Sequence, residues 1–130
     1  MSLLSDVATY LDSQLASLTL GTNLFLGRLP DGPDTCVALI ESGGMAPSAT
    51  MADGKPLVSR PRIQVFVRAK AYSDAETLAS SVWNALEGVL NENLTATRYY
   101  NITAVQSPFS LERDAQDRQV MTQNFQVISA

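Results

Sequence analysis

At 130 residues, 45% of them hydrophobic, the chain is the size of one domain and can bury one real core but not two. Its formal charge of −4, with Lys55 and Lys70 as its only lysines and no basic block, excludes sequence-independent nucleic-acid binding, which needs clustered cations to displace counterions. Histidine is absent, which removes the commonest general base and metal ligand together, and a single cysteine allows no internal disulfide and fits a reducing cytoplasm.

Leu4, Val7, Ala8, Leu11, Leu15 and Leu18 recur at helical spacing and predict an amphipathic helix ending near Gly21. The same N-terminal stretch carries Asp6 and Asp12 and lacks a basic start, so it does not read as a signal peptide. No segment reaches the ~18 consecutive apolar residues of a membrane span. Leu24 to Leu29 predicts a short strand closed by the turn cluster Pro30-Asp31-Gly32-Pro33. Thr35 to Glu41 is an unbroken apolar run between turn signals, which predicts a strand buried on both faces at the centre of a sheet. Residues 42–61 hold glycines and prolines without periodicity and predict a long mobile loop inside one domain spanning 1–130.

The stretch from Arg60 to Leu90 is a strand followed at once by a helix. Ile63, Val65, Val67 and Ala69 alternate with Arg62, Gln64, Phe66 and Arg68, with Pro61 at the strand's first position. The period then changes: Ala75, Leu78, Ala79, Val82, Leu86, Val89 and Leu90 form a helical stripe with Trp83 at its edge. Ser73 and Glu76 fit a capping box at the helix start, and Asn91 and Asn93 suit its end. Strand and helix have matching lengths of about 26 and 27 Å, so the helix can lie along the sheet.

Tyr99 to Val105 predicts a strand with Tyr100, Ile102 and Ala104 on one face, broken or bent at Ser107-Pro108. Phe109 to Arg113 and Arg118 to Ile128 predict a hairpin around Asp114-Ala115-Gln116-Asp117, with Met121, Phe125 and Val127 on one side. The whole is an α+β domain. Two helices cover one face of a mixed, mostly antiparallel sheet of about five strands, and Leu78, Val82, Leu86, Ile63, Val65 and Phe125 share the core.

The chemical inventory is sparse. Cys36 sits in the most apolar strand, where a thiol is inert packing. There is no nucleophile elbow, P-loop or dinucleotide fingerprint, and Gly43-Gly44 does not open a helix as a phosphate cradle would. Glu112, Asp114, Arg113 and Arg118 read first as a solvated charged hairpin, next as a set of intersubunit ion pairs, and last as a catalytic group. Arg68 and Arg62 lie opposite the core; a solvent-facing role is the plain reading, but Phe66 on that face suggests that something covers it. Two glycosylation-type triplets, at Asn93 and Asn101, are coincidental without a secretion signal.

The order of ALIESGGMAP, PRIQVFVRAKAYSDAETLASSVWNALEG and RYYNITAVQSPFSLERDAQDRQVMTQNFQV resembles the minor capsid and tail-terminator proteins of long-tailed bacteriophages. The matching positions are Glu41, Gly43 and Gly44 after the apolar strand; the strand from Pro61 to Arg68 leading to Tyr72; and Leu111, Arg113, Asp114, Arg118, Asn124 and Phe125. The sequence departs from the pattern at Glu112, where a small residue commonly precedes the Arg-Asp pair.

The resemblance implies a structural virion protein that forms a ring, commonly of six copies, at the head–tail junction. Its expected partners are itself, the tail-tube protein and a neck or head-completion protein, with DNA passing through the lumen unbound and with no membrane, cofactor, metal or catalytic group involved. Assembly in the host cytoplasm follows. Arg68, Arg113, Asp114, Arg118, Gly43 and Gly44 are then expected at a subunit or partner interface. The alternatives are another neck or head-completion protein, and a small ligand-binding α+β module with a pocket near residues 42–61.

Overall fold

A computed structural model describes residues 3–49, 56–87, 89–94, 97–106 and 108–129. Helix α1 (Leu3–Gln14) is followed by strands β1 (Leu24–Leu26), β2 (Cys36–Ala49) and β3 (Pro56–Ala69), then helix α2 (Tyr72–Glu87). Strands β4 (Leu90–Leu94), β5 (Thr97–Ala104), β6 (Phe109–Arg113) and β7 (Gln119–Ser129) complete the chain. The strands form one sheet in the order β1-β2-β3-β7-β5-β4, with β6 also paired to β7. All pairings are antiparallel except β1 with β2.

Both helices pack on one face. Val7, Ala8 and Leu11 of α1 and Ala75, Ala79, Val82 and Leu86 of α2 are fully buried against Val37, Leu39, Ile63, Val65, Val67, Phe125 and Val127 of the sheet. These are the residues that the helical and alternating periods select, with Leu78 and Trp83 half-buried at the margin. Burying a Leu or Phe side chain contributes roughly 1.5–3 kcal/mol, so this single layer contact supplies the main driving force.

Several details depart from the expected arrangement. The sheet exceeds five strands mainly because residues 90–94, expected to end a helix, form β4 instead. The helix stops at Glu87. It also starts two residues early: the Ala75 N–H donates to the Ala71 carbonyl at 3.1 Å, which puts Ser73 inside the first turn rather than at its cap. Strand β2 is buried on both faces from Cys36 to Leu39, as expected, but lies second from an edge rather than at the centre, which β3 and β7 occupy. On β5, Tyr99 and Ile102 face the core while Tyr100 is 39% exposed. The register shift between Tyr99 and Asn101 is the cause, since an extra residue in one strand reverses the alternation.

Most of the expected loop at 42–61 is strand. The β2–β3 ladder continues through Gly44↔Pro61, Met45↔Arg60, Ser48↔Val58 and Ala49↔Pro56, and residues 50–55 lie outside the described residues. A two-stranded ribbon satisfies its backbone through cross-strand hydrogen bonds and needs no core-facing row, so hydrophobic alternation is no guide to it. Pro61 is therefore interior to β3, opposite Gly44 and beside a register shift, where a missing N–H is tolerated.

Candidate functional site

The expected charged residues converge at one end of the sheet. Register places Arg68 opposite both Cys36 and Val120, and Arg113 opposite Gln119, so the ends of β3 and β6 and the starts of β2 and β7 meet there. The segment 27–35 must return from β1 to the parallel β2 across this end. It carries Pro30 and Pro33, which have no N–H, and its carbonyls have few local donors.

Two buried guanidinium groups provide those donors. Arg68, 2% exposed, donates to the carbonyls of Pro30, Pro33 (2.6 Å) and Asp34 (3.3 Å). Arg118, 3% exposed, donates to the Asp31 carbonyl, to Asp34 Oδ1 at 3.2 Å and to Asp114 Oδ2 at 2.8 Å. The planar fork of arginine suits several carbonyls at once in a way that a lysine ammonium does not. What covers the outer face near Arg68 is this chain's own segment, not solvent.

Asp114 closes the β6–β7 turn. Its Oδ1 accepts from the N–H groups of Gln116 (3.0 Å) and Arg118 (2.9 Å). Burial tends to raise its pKa, but the hydrogen bonds from the Arg118 backbone and side chain and from Gln116 outweigh that and hold it below the usual value. The hydrogen bond from Lys70 does the same for Asp34, against the opposing effect of burial and with help from Lys70's charge and from Arg118. Arg113 lies further out, donating to Asp117 Oδ1 at 2.7 Å and to the Lys70 carbonyl at 2.9 Å. Burial pushes the Cys36 thiol up, as expected for packing.

Two hollows flank this cluster. One of about 250 Å³ is bounded by Leu29, Asp31, Arg68, Gln116 and Arg118. A wider recess of about 540 Å³ is lined by Ser110, Leu111, Arg113, Asp114 and Val120. Among the described residues no group of three or more His, Cys, Asp or Glu side chains could hold a metal ion. The arrangement is a clamp: cations facing carbonyls and carboxylates already within reach.

Of the residues expected at an interface, Arg68, Asp114 and Arg118 come together, with Arg113 beside them. Gly43 and Gly44 lie elsewhere, at the register shift between Glu41 and Gly44, where Gly43 takes φ 91°. The donors of Arg68 and Arg118 are engaged inside the chain, so the cluster first serves the fold. Sequence reading missed Asp34 and the carbonyls of 30–34; the signal was the double proline, whose neighbours must find donors elsewhere.

The sequence pattern of the bacteriophage tail terminator protein family matches residues 10–129, from late in α1 to the end of β7. Among solved structures, a chain of the virion of a native gene transfer agent particle has the same fold, with a TM-score of 0.74 at 20% identity. The superposition covers 98% of this chain and 94% of that one. No curated protein matches the chain.

Proposed function

The chain belongs to the bacteriophage tail terminator family, and from that premise we propose that it caps the head-proximal end of the tail tube as a ring and joins the tail to the neck. The observation that carries this reading is the extent of the family match, which takes in every strand of the sheet and all of α2. A phage tail structural protein works through surfaces, and this one exposes Leu26, Leu90, Phe109 and Leu111 on strands at or beside free sheet edges.

The proposed ring has three kinds of partner: itself in six copies, the tail-tube protein below and a neck or head-completion protein above. Its place is the head–tail junction of the virion. The net negative charge suits a lumen that lets DNA pass without holding it. Arg113, exposed beside the wider recess, is the member of the arginine cluster placed to meet a neighbour, whereas Arg68, Asp114 and Arg118 shape the surface from beneath.

Purified protein added to polymerising tail-tube protein tests the reading. Tubes should stop growing, with the added protein at one end only. Tubes that elongate at an unchanged rate, with no protein at either end, would contradict it.

A further inference from the structure

We propose that the β2–β3 ribbon of one copy adds to the free edge of β6 in the next copy, continuing the sheet from subunit to subunit. This deepens the ring reading above and rests on it.

Strand β6 pairs with β7 along one side only, so its other backbone edge is open among the described residues. Such an edge is a template for an incoming strand. Here it is also apolar, with Phe109 42% and Leu111 45% exposed. A hollow lies on each face. The recess at Leu111 and Val120 opens by the row away from the helices, since Val120 lies opposite Arg68 while the next pair, Val67 and Met121, faces the core. On the helix side a hollow of about 350 Å³ is lined by Ser80, Trp83, Asn84 and Pro108. The Trp83 indole N–H there is shielded from solvent and has no acceptor among the described residues. An added strand presents side chains alternately to both hollows.

The ribbon has the converse need. Beyond the Ser59↔Ser129 pair, and among the described residues, Ser48 and Ala49 pair only with Val58 and Pro56, while Gly44 and Met45, opposite Pro61 and Arg60, have no strand on their other side. A lone two-stranded ribbon is marginally stable in water and gains from a third strand. Its own β6 is out of reach. The ribbon leaves the sheet at Ser129, while β6 pairs with Gln119 to Thr122, about 23 Å back along β7 at ~3.3 Å per residue. A second copy is the occupant that supplies one ribbon and offers one edge per subunit. Because donor and acceptor are different surfaces, the contact is heterologous and propagates until a rotation closes it into a ring. Pro47 lacks an N–H, so pairing along the β2 side runs through Gly44 to Ala46 and stops there.

Amide exchange on the wild-type protein, dilute and then at concentrations where light scattering shows rings, is the test. Exchange at Phe109–Arg113 and at 44–46 should slow together by about tenfold or more on assembly. Rings in which β6 exchanges as in the monomer, or in which β6 is protected while the ribbon is not, overturn the proposal but leave capping intact. Failure to form rings at any concentration overturns both. As a second measurement, Leu111→Glu on the exposed edge should leave the monomer folded and abolish rings; unchanged ring formation would contradict the pairing.

Discussion

The Tyr99 hydroxyl donates to Asp6 Oδ2 at 2.8 Å inside the protein, tying β5 to α1 across 93 positions of sequence. Both residues are about 1% exposed, so the bond is made away from water. Tyr99→Phe should lower stability by about 1.5–3 kcal/mol, the usual range for a hydrogen bond to a charged group, read from chemical denaturation. Burial, then the hydrogen bond and charge of Asp6, push the Tyr99 pKa well above its ordinary value. The unfolded chain therefore releases this proton first, near pH 10, and stability contributed below that pH is lost as pH rises through the folded value. Alkaline unfolding should be shallower in Tyr99→Phe, and equal pH profiles for the two proteins would refute that assignment.

Leu86 is fully buried between α2 and the sheet. Leu86→Ala should cost about 2–5 kcal/mol, measured by urea unfolding, whereas a loss below about half a kcal/mol would be the behaviour of a surface site.

The α2 stripe and the alternation in β3 were legible because each buries one face, and burial imposes a period on the sequence. The β6–β7 hairpin was legible from its polar turn. The ribbon was not, since its ladder rests on backbone hydrogen bonds, which impose no hydrophobic period on the sequence. The core position of Tyr99 depends on a register shift that the sequence does not mark. Arg68 and Arg118 stood out as residues, but their partners are backbone carbonyls, which every residue carries and no pattern distinguishes.

Asp34 and Asp114 hold their protons only at unusually low pH, so the clamp contributes stability above the ordinary carboxylate range and loses it as pH falls through their folded values. The protein should lose thermal stability below about pH 4. Asp114→Asn should flatten that acid limb and release the β6–β7 turn, seen as faster amide exchange at Gln116 and Arg118. A full acid limb in the variant would place its origin elsewhere.

Gly43 takes φ 91° at the root of the ribbon, with open space where a Cβ would be. Gly43→Ala therefore meets backbone strain and no clash, at a cost of about 1–2 kcal/mol. Thermal melting should show that loss, and an unchanged midpoint would mean that the bulge relaxes freely.

Tail length in particles whose genome lacks this gene tests the capping role most directly. Electron microscopy should show tails that overgrow or fail to join heads, with normal tails restored when the protein is supplied from a plasmid. Tails of normal length attached to full heads in the absence of the gene would contradict it.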